Sequence, residues 1–185
     1  GRVQLKYYDE RTREIRKAMN YFWDLLEDVP GIKAHRPDHP ESNMGGWYAA
    51  RGLYRPEELD GLSVTRFTEA VRAEGVSTHP GCNSPLHSHK LFTEADVYGH
   101  GKPTRIANAN KDVRKFDKEL PVSEEISSHI YTIPWFKHYR PEIIEEHAEA
   151  YKKAALNYKE LLKDDPGNPD EMGAFHFFSH DDDDE

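Results

Sequence analysis

Apolar residues recur at alternating steps of three and four through Leu5, Tyr8, Ile15, Met19, Phe22 and Leu26, with Thr12 in the same register. That spacing predicts one long amphipathic helix over residues 5–28. Its opposite face carries Lys6, Arg11, Arg13, Arg16 and Lys17, and Pro30-Gly31 stops it. Trp47 to Tyr54 reads as a strand. Ser63 stands as an N-cap ahead of Val64, Phe67, Ala70 and Val71, and Gly75 takes the position after the last turn. Val76 to Thr78 leaves that helix as a short strand. Pro121 and Ser123 open a short helix reaching about residue 129, and Ile130 to Ile133 follows as a strand ended by Pro134. Pro141 sits at the first position of a closing helix. Its Ile144, His147, Tyr151, Ala154, Tyr158 and Leu161 share one side up to about residue 163.

Helices therefore alternate with a few short strands. That order predicts an α+β fold: a small, mainly antiparallel sheet covered by helices, with a long N-terminal and a long C-terminal helix. Residues 79–120 follow neither period. A connection of that length is either functional or braced by another part of the molecule.

Composition adjusts this picture in two ways. Hydrophobic residues are 36% and aromatics 11%, a mix that suits a domain with some surface meant for a neighbour. The net charge of −9 is local: residues 164–185 hold seven Asp and two Glu without Lys or Arg, leaving 25 acidic against 25 basic groups elsewhere. The expected organisation is a domain over 1–163 and a mobile acidic tail over 164–185. A neutral body lacks the basic face that nucleic acid requires. No run approaches the roughly 18 apolar residues of a membrane span, and Cys82 is the only cysteine. A cytoplasmic protein is expected. The opening Gly1-Arg2-Val3-Gln4-Leu5 lacks a methionine and is already near helical phase, so a longer parent polypeptide is expected too.

The chemically able groups concentrate on the loop from Val76 to Lys90, which holds His79, Cys82, His87 and His89. Imidazole and thiolate are zinc ligands, but this spacing matches none of the usual paired patterns, and Pro80 and Pro85 restrict closure on an ion. A loop lining a substrate cleft or an interface is the plainer reading. Gly99-His100-Gly101-Lys102 fails as a phosphate loop, with Asp96 where a glycine is needed and Pro103 where Ser or Thr is needed. Nothing nearby activates Cys82 as a nucleophile. Trp47, Tyr48, Trp135 and Tyr139 read as core or interface aromatics.

Several stretches, taken in order, resemble the C-terminal part of the DegT-type sugar aminotransferases. They are Gly1 to Leu5 with its Arg-rich helix, Phe67 to Val76, Pro85-Leu86-His87, Leu120 to Glu125, and Tyr131 to Pro134. The resemblance covers most of residues 1–163. It implies the small domain of a pyridoxal-phosphate-dependent, fold-type I enzyme, a homodimer that aminates a keto-sugar, often nucleotide-linked, or a cyclitol. The partner would be the large, pyridoxal-phosphate-binding domain of the same polypeptide, which carries the cofactor lysine. No cofactor is expected on this chain alone, which would be inactive by itself. His87 is implied as a substrate contact by its motif match, with Asn83 as a hydroxyl partner and Arg105 as an anion partner. A free-standing binding module reusing the small-domain fold is the alternative.

Overall fold

The structure, a computed structural model, describes residues 1–39, 41–89, 94–96, 99, 120–170 and 172. The chain divides into two compact units, one formed by Gly1–Gly81 with Ser128–Asp170 and the other built on Cys82–Ser127.

In the first unit the long periodic stretch becomes α1 (Arg2–Lys6) and α2 (Tyr8–Leu25), with Tyr7 leaving helical geometry between them. Burial begins only at Ala18 and Met19 and continues through Phe22 and Trp23. Leu5 and Tyr8 of the predicted stripe are exposed, as are Val3 and Tyr7. Periodicity reports which face a helix could bury, and here the described residues cover only its last two turns. β1 (Ile32–Lys33), which the sequence pattern misses, pairs antiparallel with β2 (Arg51–Tyr54). The predicted strand at 47–54 is thus shortened to its second half. β2 in turn pairs antiparallel with β3 (Ile130–Thr132), Gly52 facing Tyr131. The sheet order is β1-β2-β3, the α+β class that the sequence predicts.

Gly52 has a steric reason to be glycine. A Cβ there would lie 2.3 Å from Cζ of Tyr131, whose ring lies over it. That ring packs edge-on against Phe67 and tilted against Tyr151. Phe67 belongs to α3 (Val64–Ala73) and Tyr151 to α5 (Pro141–Leu156). α5 also packs on α2, where Phe22 meets Tyr151 at 5.5 Å. Phe22, Phe67, Tyr131, Ile144 and Tyr151 are all fully buried. Each such side chain is worth roughly 1.5–3 kcal/mol of transfer free energy.

The boundaries of α3 fall where its cap residues put them. Ser63 Oγ accepts from Arg66 N–H at 3.0 Å, and Gly75, at φ +91°, turns the chain so that Val76 N–H reaches Val71 O. The start of α3 receives a second set of partners from far along the chain. Asp165 accepts from Ser63 N–H at 2.7 Å and from Ser63 Oγ at 2.6 Å. Asn168 Oδ1 accepts from Thr65 N–H and Oγ1. The closing helix is interrupted at Asn157, beyond which α6 (Tyr158–Leu161) continues. Among the described residues, no helix is long and apolar enough to cross a membrane.

Candidate functional site

The predicted strand at 76–78 is replaced by extended chain that borders β3 without forming a regular ladder. Thr78 Oγ1 donates to Thr132 O at 2.6 Å, and Thr132 N–H donates to His79 O at 2.8 Å. Pro80 forms an isolated bridge with Tyr131, and Gly81 N–H donates to Ile130 O. Arg51 then donates to Gly81 O at 2.7 Å. This framework delivers the chain to the candidate loop.

In the second unit, Pro85 leads into a single 3-10 turn, Leu86–Ser88. Ser88 closes that turn on itself, its N–H and its Oγ both donating to Pro85 O. His87, half-buried, donates from Nε2 to Glu124 Oε1 at 3.1 Å. A carboxylate accepts only, so this contact assigns the hydrogen to Nε2. The same Glu124 oxygen accepts from Leu120 N–H at 3.3 Å, at the start of α4 (Pro121–Glu125). One carboxylate oxygen thus ties the opening of α4 to the histidine and fixes its ring.

The sequence does not single out Glu124, although a signal is there. An acid in the first turn that reaches back to the N–H of the residue before the helix is a recognisable arrangement. What the pattern lacks is any pointer to His87. Asn83, next to Cys82, is exposed. Cys82 Sγ lies 3.4 Å from Ser127 Oγ. Arg105, Lys90 and residues 100–103 lie outside the described residues. The structure therefore brings His87 together with an acid but does not report on Arg105. Among the described residues no three of His, Cys, Asp and Glu converge as a metal site.

Comparison with known proteins decides the family. The profile of the DegT/DnrJ/EryC1/StrS aminotransferases matches residues 1–152. The chain belongs to that family. Its enzymes depend on pyridoxal phosphate. Three solved structures are similar in fold. DesI, crystallised in the presence of its TDP-sugar product, is 18% identical with a TM-score of 0.61, over 88% of this chain and 36% of that one. A DegT DnrJ EryC1 StrS aminotransferase from Brucella abortus is 17% identical with a TM-score of 0.54, over 83% and 33%. 3-Amino-5-hydroxybenzoic acid synthase is 17% identical with a TM-score of 0.57, over 84% and 37%. This chain spans about a third of the length of each. No curated protein matches the sequence.

A lysine that serves as a dedicated imine-forming nucleophile is activated by desolvation or by a neighbouring cation. The described lysines are set otherwise. Lys152, Lys153 and Lys163 pair with Glu149, Glu74 and Glu160. Lys6, Lys17, Lys137 and Lys159 lie over the rings of Tyr7, Tyr139, Trp135 and Tyr158. Lys33 is exposed on the two-residue strand β1. No step of cofactor chemistry is assigned to any of them.

Proposed function

We propose that residues 1–163 are the C-terminal small domain of a pyridoxal-phosphate-dependent aminotransferase acting on a keto-sugar, often nucleotide-linked, or a cyclitol. The observation that carries this is the family match over residues 1–152 in a chain about a third as long as the related structures. The small domain closes the substrate cleft and supplies polar contacts to the substrate. His87 is one such contact, oriented by Glu124. Asn83 offers an exposed amide to a hydroxyl, and Arg105 is assigned to an anionic group of a nucleotide carrier. The active enzyme is a cytoplasmic homodimer. The acidic stretch 164–185 is an appendage to the domain, and its first residues are held on α3 through Asp165 and Asn168.

The test is the natural reading frame that contains this sequence. Its full product should transfer an amino group from an amino-acid donor to a keto-sugar or cyclitol, and His87→Ala in that product should raise KM by about tenfold, the worth of one polar contact. The 185-residue chain alone should show no single saturable site for pyridoxal phosphate, borohydride trapping giving only the scattered, sub-stoichiometric labelling of exposed lysines. A stoichiometric adduct on one lysine of this chain, or a reading frame that lacks a cofactor domain, overturns the assignment.

A further inference from the structure

The apolar stripe of α1 and α2 is covered along only half of its length. Towards the end of α2, Met19, Phe22 and Trp23 are buried, with Phe22 packed 5.4 Å from Phe136 and 5.5 Å from Tyr151 of α5. Towards Gly1 the same stripe is bare. Leu5 is 72% and Tyr8 56% exposed, Thr12 and Ile15 are half-buried, and α1 buries no residue. Val3 and Tyr7 add two more exposed apolar side chains to these turns.

The edges of the bare half are basic. Arg11 stands three residues from Tyr8 and four from Ile15, and Arg16 stands four from Thr12, the spacings at which helix side chains are neighbours. Arg36, Arg55 and Arg66, farther along the same unit, pair with Asp24, Glu58 and Glu69. Arg11 and Arg16 have no ion-pair partner among the described residues. A row of exposed apolar side chains rimmed by unpaired cations fits a groove that is apolar along its floor and acidic at its edges.

We propose that this half of the helix seats on the cofactor-binding domain of the full polypeptide, in an apolar groove whose acidic rims meet Arg11 and Arg16. The proposal rests on the small-domain reading. Two observations select this occupant. The chain spans 36%, 33% and 37% of the related structures, so most of such an enzyme lies outside it. The bare half of the stripe is also the half next to Gly1, where that reading joins the cofactor-binding domain. The helix is then shared: its last turns complete the core of this domain, and its first turns are held by the other.

The test is amide hydrogen exchange over residues 5–15, in the 185-residue chain and in the full product of the natural reading frame. In the chain alone these amides should exchange fast, as helix turns without tertiary cover do. In the full product they should exchange about tenfold or more slowly. Leu5→Glu combined with Tyr8→Glu alters two exposed side chains. It should leave the urea midpoint of the 185-residue chain unchanged and abolish the added protection in the full product. Arg11→Glu combined with Arg16→Glu should reduce that protection about fivefold and remove its sensitivity to salt. A reading frame without a cofactor domain overturns the small-domain reading and this inference with it. Where the frame does contain that domain, equal exchange in the two proteins, or protection that survives Leu5→Glu with Tyr8→Glu, overturns the docking alone and leaves the reading standing. Protection in the 185-residue chain that rises with its concentration assigns the stripe to a second copy and likewise overturns the docking.

Discussion

Asp165 and Glu124 each pin down a distant segment through a single carboxylate, but they act on very different surroundings. Asp165 reaches the start of α3 across 102 residues and accepts from Ser63 N–H, Ser63 Oγ and Gly167 N–H. The helix that it caps buries Val64, Phe67, Thr68 and Val71. Glu124 reaches His87 across 37 residues and accepts one hydrogen bond from it and one from Leu120. The turn that it holds, Leu86–Ser88, buries no side chain, and Leu86 is 65% exposed. Hydrogen bonds added to a segment already ordered by packing contribute nearly their full worth. On a segment with no packing they are offset by the entropy of ordering it. The α3 cap should therefore be part of the cooperative core and the His87 turn a separately opening element.

The widest separation between the two should come from the packing itself. Phe67 touches Tyr54, Tyr131 and Tyr151 and is fully buried. Phe67→Ala should cost about 3–5 kcal/mol in urea unfolding, from lost burial and the cavity left behind. A cost under about 1 kcal/mol would show that α3 is not core, and the contrast with the turn would collapse. Alkaline titration probes the same cluster. Burial pushes the phenols of Tyr54, Tyr131 and Tyr151 above their ordinary value of 10.0. The folded state then holds protons that the unfolded state releases. Their contribution is complete below pH 10 and declines as pH rises through the folded values. Tyrosinate absorbance from these three should appear late, together with loss of the fold. An early, fully reversible step of three phenols in folded protein would contradict that.

Asp165→Ala comes next, at about 1–2 kcal/mol, the usual loss for a helix cap. Desolvation pushes the Asp165 carboxyl up, but the hydrogen bonds from Ser63 and Gly167 and the charge of Arg66 outweigh it, so its pKa falls below the ordinary 3.8. A lowered carboxyl stabilises the fold above its unfolded value and ceases to do so as pH falls through its folded value. The gap between wild type and Asp165→Ala should hold steady from pH 7 to about pH 5 and close below about pH 4. A gap independent of pH over that range would mean the carboxylate charge plays no part in the cap.

Both the legible and the illegible parts of this chain follow from the range over which each signal acts. Ser63 and Gly75 delimit α3 from the sequence because capping chemistry is local. The Phe22, Met19 and Ile144 stripes are likewise read from periodicity. β1, two residues long, is fixed by pairing with Tyr54 and Leu53 and has no pattern of its own. The exposure of Leu5 and Tyr8 is equally invisible, since a stripe shows what a helix is able to bury and not what covers it. On the candidate loop, the Pro-Leu-His stretch draws attention to His87 in the sequence, whereas the contact of His87 with Glu124 spans 37 residues and no local rule encodes it.

The smallest expected effect is the most discriminating. Glu124→Ala removes the acceptor shared by His87 Nε2 and Leu120 N–H, yet both partners lie near water, which replaces it. Global stability should change by no more than about 0.5 kcal/mol, as for other exposed polar contacts. The local effect should be plain. Ser88 and His89 N–H groups, bonded to Pro85 O and Leu86 O, should exchange faster once the turn loses the link from the His87 ring to Glu124 of α4. Glu124→Gln keeps an oxygen that can accept both bonds and removes only the charge, so its exchange rates should stay near those of wild type. If the two variants exchange alike, charge and not the hydrogen bond holds the turn. If Glu124→Ala instead destabilises the chain as much as Asp165→Ala, the turn belongs to the cooperative core and the two tethers are of one kind.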